Sequence, residues 1–173
     1  FGSARRLVMT NATGFVLPLP LSYANRLSAT KGITRVTWSN WFGGKYGDAK
    51  PFFAQFAVDP KSYLEMYPEL VVPEDQKQAF LQDKGGALIG ARLVELFGWK
   101  VGQNVTLEGT IYPGSWPFTV RGVYTPTDPA ISDDALMFHC DYLDERSGRK
   151  GNAGWYILEI DKPEIEAQLV SEA

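Results

Sequence analysis

Ala87-Leu88-Ile89-Gly90-Ala91-Arg92-Leu93-Val94-Glu95-Leu96-Phe97-Gly98-Trp99-Lys100-Val101-Gly102 is the stretch whose reading decides the fold of this chain. Its opening residues, 87–90, form a short apolar run of the length expected for a buried strand. From Ala91 the apolar residues fall at helical spacing, which predicts a helix over 91–97. Gly98 stops it, because glycine enters the left-handed conformation that closes helices without steric cost. Lys100-Val101-Gly102-Gln103 then turns the chain into a strand over 104–108. There Val105 and Leu107 face one way while Thr106 and Glu108 face the other. A hairpin carrying Pro113-Gly114 leads to a returning strand over 118–124, with Phe118 and Val120 toward the core.

On the N-terminal side, Arg6 to Asn11 predicts a strand. Pro20 suits the first turn of a helix whose Leu21, Ala24 and Leu27 share one face. Ile33 to Phe42 is rich in β-branched and aromatic residues and predicts a long strand. Phe52, Ala54, Phe56 and Val58 alternate as its returning partner. Asp59-Pro60 caps a short helix through Tyr63 and Tyr67, and 74–84 predicts a second, more polar one. On the C-terminal side, 135–139 is a strand, Asp141 caps a helix to Arg146, and 155–160 is the last strand. Asp161-Lys162-Pro163-Glu164 opens a helix that stops at Ala173 without a cap, as expected of a piece of a longer protein. Strands and helices mix without a steady βαβ rhythm, so the expected class is α+β. The breaks at Pro68–Pro73 and Thr125–Asp134 divide it into two lobes, 1–67 with 133–173 and an inserted, β-rich 68–132.

Bulk properties narrow the function. A chain of 173 residues, 45% of them hydrophobic, builds a core without metals or disulfides. Seventeen basic against twenty acidic residues leave a net charge of −3, unlike a nucleic-acid binder. No run approaches the roughly 20 apolar residues that cross a bilayer as a helix. The single cysteine, Cys140, rules out an internal disulfide and a cysteine-based zinc site.

No catalytic, cofactor or metal signature emerges. Gly85 and Gly90 have the spacing of phosphate-loop glycines, but Ala91-Arg92 stand where lysine and a hydroxyl residue are required. His139, the one histidine, precedes Cys140 on a strand, so the two side chains point to opposite faces and share no proton. Asp128, Asp133 and Asp134 lack the spacing of a calcium loop and read as a solvated acidic loop. The aromatics are more informative. Trp38, Trp99 and Trp155 sit in alternating patterns and are expected in the core. Trp41-Phe42 and Tyr112-Pro113-Gly114-Ser115-Trp116 fall at a strand end and a hairpin tip, where core, sugar-stacking platform and protein interface all remain open. Trp41, Phe42, Tyr112 and Trp116 are therefore the candidate partner-binding residues, with Trp41, Phe42 or Trp116 expected to be partly exposed.

The order of pieces also carries a resemblance. Ala87 to Gly102, Val105-Thr106-Leu107, Phe118-Thr119-Val120-Arg121-Gly122-Val123, Gly32-Ile33-Thr34-Arg35-Val36 and Phe56-Ala57-Val58-Asp59-Pro60 together resemble the MacB-like periplasmic core domain of FtsX/MacB-type ABC transporter permeases. The resemblance spans nearly the whole chain. It implies a porter-like α/β lobe with a smaller inserted lobe, held between two transmembrane helices of a bacterial inner-membrane permease, on the periplasmic side. It also implies a second permease subunit and a separate ATPase domain or subunit as partners, a periplasmic protein or cargo as ligand, and no enzymatic role for this domain. A free-standing extracytoplasmic module that binds glycans or peptides through its surface tryptophans is the competing expectation.

Overall fold

The computed structural model describes residues 6–10, 19–48, 52–148 and 151–161. In chain order the elements are β1 (Arg6–Met9), β2 (Leu19–Pro20), α1 (Tyr23–Ser28), β3 (Ile33–Trp41), β4 (Gln55–Val58), α2 (Pro60–Met66), β5 (Leu70–Val71), α3 (Glu74–Gln82), β6 (Gly86–Gly90), α4 (Ala91–Phe97), β7 (Asn104–Gly109), β8 (Gly114–Pro126), β9 (Leu136–His139), α5 (Cys140–Ser147), β10 (Asn152–Ala153) and β11 (Trp155–Ile160). Nine strands form one mixed sheet in the order β1-β11-β3-β4-β9-β6-β8-β5, with β7 paired to β8; β2 and β10 make a separate ribbon. The class is mixed α/β around a mostly central sheet, matching the α+β expectation.

The decisive stretch folds as its pattern dictates. β6 is buried along its whole length, and Gly98 ends α4 at φ 69° with its N–H donating to the Val94 carbonyl. Gly90 has a second reason to be glycine, unrelated to phosphate. A Cβ there would lie 2.0 Å from the Asp133 carbonyl oxygen, whose residue also accepts the N–H of Arg92 at 3.0 Å. The 128–134 loop is thus drawn tight against the end of β6.

Because the sheet is covered on both sides, its strands bury both alternating sets of side chains. On one face Val58, Leu88, Met137 and Ile157 meet Leu64 and Met66 of α2 and Phe80 of α3. On the other, Ala57, Ile89 and Phe138 meet Leu93 of α4 and Leu143 of α5. Toward the β1 edge, Tyr156 and Leu158 pack with Ala24 and Leu27 of α1. The last strand, β11, sits between β1 and β3, antiparallel to both.

Residues 68–132 supply β5 to β8, α3 and α4. They join the rest along β6–β9, through Ala87↔Phe138, Leu88↔Met137 and Ile89↔Leu136. A second join is the Lys45–Glu108 bridge, whose two N–H···O bonds are 2.9 and 2.8 Å. That bridge brings the chain just beyond β3 onto β7, so the sheet folds back around an aromatic core. β7 makes no ladder with β11.

Several local expectations change. α5 begins at Cys140 with His139 as its cap position, so Asp141 lies in the first turn and does not cap. Phe52 precedes β4 instead of lying in it and is 64% exposed. The short strands β2, β5 and β10 carry too few residues for any alternation to register. The helix expected from 163 onward lies outside the described residues, as does Asn11 of the first expected strand, which runs over Arg6–Met9.

Candidate interaction surface at the distal tip

Strand direction sets two ends of the molecule. At one end Arg6 of β1 lies opposite Glu159 of β11, and Ile160 lies opposite Ile33. At the other, Trp155 lies opposite Ser39 and Trp41 opposite Phe56. The outermost described residues, Arg6 and Asp161, are therefore side by side, and Trp41 is far from both. The β7–β8 hairpin closes over the Trp41 end, where the Thr110 hydroxyl donates to the Gly43 carbonyl at 2.5 Å.

At this distal tip an aromatic ladder runs over one face of the sheet. Trp41 packs on Phe52 with ring centroids 6.0 Å apart and on Phe56 at 5.4 Å; Phe56 in turn meets Trp155 at 5.7 Å. α2 and α3 cover this face further toward the chain ends and leave the tip open. Trp41 is 36% exposed, and Phe52 and Ile111 are more exposed still. Gly43, at φ +69°, allows the chain to turn here; a Cβ on it would also sit 2.7 Å from the Trp41 indole nitrogen.

Of Trp41, Phe42 and Trp116, among which partial exposure is expected, Trp41 is the one at the surface, and the other two are buried. Phe42 is fully buried, because the residue after Trp41 turns to the opposite face, toward the closed side of the sheet. There it lies among Tyr112 (6.0 Å, stacked), Trp116 (5.1 Å), Phe138 (5.3 Å) and Phe118 (6.4 Å). Gly44 makes room for it, since a Cβ there would come within 2.4 Å of the Phe42 ring. Trp116 is 3% exposed and donates its indole N–H to the Tyr112 carbonyl at 2.9 Å. Tyr112 is half-buried. The four candidates thus come together at one end of the molecule, one as surface and the others as its packed support. Trp99 is buried, as expected of a core residue, while Trp38 and Trp155 are half-buried.

Other chemistry-bearing residues have structural duties. His139 is buried, with its Nε2–H donating to the Phe80 carbonyl at 2.7 Å and its ring edge-on to Phe80. Cys140 lies in the core cluster on the opposite side, and burial, with Asp144, Asp59 and Asp141 nearby, pushes its thiol well above its usual range. Among the described residues no three His, Cys, Asp or Glu side chains group as a metal site. Asp128 turns its carboxylate onto the Ala130 N–H at 2.9 Å, and Asp134 accepts from Ser132. No helix of the described residues is long and apolar enough to cross a membrane.

Sequence reasoning passed over Phe52, Ile111 and Arg146. Phe52 was masked by the alternation 52-54-56-58, which continues smoothly past the point where the strand begins. Ile111 and Arg146 carry no sequence signal; only the hairpin folding over α5 brings them to the tip.

No family model matches the chain, and no curated protein does. Solved structures do. The periplasmic region of MacB from Actinobacillus actinomycetemcomitans superposes with a TM-score of 0.66 at 16% identity, covering 99% of this chain and 82% of that one. The extracellular domain of the noncanonic ABC-type transporter YknZ from Gram-positive bacteria gives 0.61 at 14% identity, covering 94% and 86%. A domain of a permease protein from Porphyromonas gingivalis gives 0.61 at 17%, covering 98% and 82%. These are likenesses of backbone, spread over nearly all of each molecule, and the chain has the fold of the MacB periplasmic domain.

Proposed function

We propose that this chain is the extracytoplasmic domain of a bacterial ABC transporter permease, passing motion of membrane helices to a cargo or partner. The observation that supports it is fold likeness to three such transporter domains over 94–99% of the chain. Two features suit the role. The described ends, Arg6 and Asp161, lie together, as a domain entered and left from one membrane surface requires. The stretches 1–67 with 133–173 and 68–132, a porter-like lobe and an insert, are joined in their described parts through one sheet and a shared core. They act as a rigid lever, with the tip as its working end.

In this reading the domain sits on the periplasmic side of the inner membrane and pairs with a second permease subunit. ATP hydrolysis belongs to a separate domain or subunit. Trp41 contacts the periplasmic partner or cargo, while Phe42, Tyr112 and Trp116 hold the tip in shape. The chain itself needs no cofactor and performs no catalysis.

The test is twofold. The complete coding sequence is expected to place an apolar helix directly before Phe1 and another after Ala173; their absence overturns the proposal. In the intact protein, Trp41→Ala with Phe52→Ala is expected to abolish transport or partner coupling while the domain remains folded. Unchanged transport removes the tip from the mechanism.

A further inference from the structure

Where the β7–β8 hairpin lies against the end of α5, a small cavity of about 140 Å³ opens to solvent, lined by Ile111, Tyr112, Pro113, Trp116, Arg146 and Ser147. Its walls are fixed. Trp116 is held by its indole hydrogen bond to the Tyr112 carbonyl at 2.9 Å, and the neighbouring Tyr142 hydroxyl donates to the Pro117 carbonyl at 2.6 Å. The Arg146 guanidinium carbon stands 5.0 Å from the Trp116 ring centroid and 5.6 Å from that of Tyr142. One of its terminal nitrogens, Nη2, donates to the Ser115 carbonyl at 2.8 Å. Two aromatic rings and one hydrogen bond thus hold the plane of the guanidinium.

That arrangement leaves Nη1, Nε and the second N–H of Nη2 without a protein acceptor among the described residues, so one edge of the Arg146 guanidinium, made by Nη2 with either Nη1 or Nε, keeps two parallel donors. Arg146 is also the one ionisable-at-neutrality side chain among the described residues lining the cavity. On the same helix, Glu145 is engaged by Lys84 at 2.6 Å. That two-donor edge fits the two oxygens of a carboxylate better than the tetrahedral oxygens of a phosphate, which call for donors from several directions. The remaining walls, Ile111, Pro113 and the Trp116 ring, suit aliphatic carbon. Taking about 30 Å³ per water as a guide, the space holds roughly five water-sized groups, enough for a carboxylate and the two or three carbons next to it.

We propose that this cavity is a carboxylate-binding site for a peptide, taking the carboxylate on Arg146 and its adjoining aliphatic carbons against Trp116 and Ile111. The site stands on its own geometry, whether or not the chain belongs to a permease. The carboxylate comes from a peptide C-terminus or from an acidic side chain.

The experiment is a titration of the 173-residue chain, following the Arg146 Nε–H and Trp116 indole N–H signals by NMR. The probes are acetyl-Gly-Leu as the free acid, its C-terminal amide, acetyl-Glu-amide and inorganic phosphate. One of the two carboxylate probes is expected to give a saturable shift with a Kd on the order of 1 mM, the tighter one identifying the source. Acetyl-Gly-Leu-amide is expected to bind at least about tenfold more weakly than its acid. Arg146→Gln is expected to abolish the effect, and Arg146→Lys, which keeps the charge and loses the two-donor edge, to weaken it about tenfold. Near-UV circular dichroism checks that each variant is folded, and Arg146→Lys alone decides if Arg146→Gln is not. The proposal is overturned if neither carboxylate saturates, if phosphate binds as well as they do, or if a folded Arg146 variant binds like the parent.

Discussion

Replacing Phe42 by alanine should be among the most damaging single changes at the tip, although the residue lies beside one of the most exposed aromatics of the molecule. Its ring is fully buried and meets four other rings with centroids between 5.1 and 6.4 Å away. Those rings come from two strands, β8 and β9, and the hairpin turn, so none can collapse into the space without disturbing the others. Buried Phe→Ala changes cost about 3–5 kcal/mol, and a site that resists collapse belongs in the upper part of that range. About 4 kcal/mol corresponds to a fall in Tm of about 8–16 °C for a protein of this size. Urea denaturation followed by tryptophan emission measures it, with Trp116, 5.1 Å from the Phe42 ring, as a nearby reporter. The control is Trp41→Ala, which removes a partly solvated ring and is expected to cost about 1 kcal/mol. Phe42→Leu, which refills most of the volume, should recover more than half of the loss. A Phe42→Ala cost under about 1 kcal/mol, or one smaller than that of Trp41→Ala, would refute the assignment of Phe42 as core and Trp41 as surface.

Two further outcomes follow from buried polar groups. Arg6 and Glu69, 2.5 Å apart with side chains 5% and 23% exposed, tie the first strand to the turn before β5, with the guanidinium also over the Tyr67 ring at 4.5 Å. Losing either partner alone should cost about 3–5 kcal/mol, since it breaks a largely buried ion pair, while Arg6→Met with Glu69→Leu together should cost less than the two singles summed; additive costs in a double-mutant cycle would falsify the coupling. The Cys140 thiol should resist a disulfide reagent at about pH 8 in the native protein and react fully once unfolded. Because burial raises its folded pKa above the unfolded one, the neutral thiol favours the fold at neutral pH, and that contribution falls away as pH rises past the ordinary thiol range. Rapid labelling of the native chain would contradict its placement.

Much of the architecture was legible because local and tertiary preferences agree along most elements. Gly98 stops α4, Pro60 opens α2, and 155–160 is a strand over the residues its pattern predicts. Legibility failed where a strand is covered on both faces. Alternation in 52–58 then separates one layer of core from another, not core from solvent, and the exposed residue proves to be Phe52, just ahead of the strand. The same ambiguity put Trp41 and Phe42 on equal terms, although β4 and the 43–45 turn bury one and leave the other in water. At the hairpin tip, the local pattern leaves core and surface equally open for Trp116; its burial depends on α5, some thirty residues on, whose Arg146 lies across it. Contacts of that range leave no trace in a local pattern.

The position of β11 constrains how the molecule is made. It fills the gap between β1 and β3, so neither of those strands has its common neighbour until residues 155–160 have been synthesised. At about 5–20 residues per second, the wait between β3 and β11 is on the order of ten seconds. For all that time one side of β3 presents unpaired N–H and C=O groups, a template for pairing with other chains. Closure comes from pairing the two extremes of the chain, the slow kind of contact, which gains stability only after a long loop has been drawn together. A nascent chain stalled between His139 and Trp155 therefore holds most of its strands and none of its closure, and benefits from shielding by a chaperone until translation resumes.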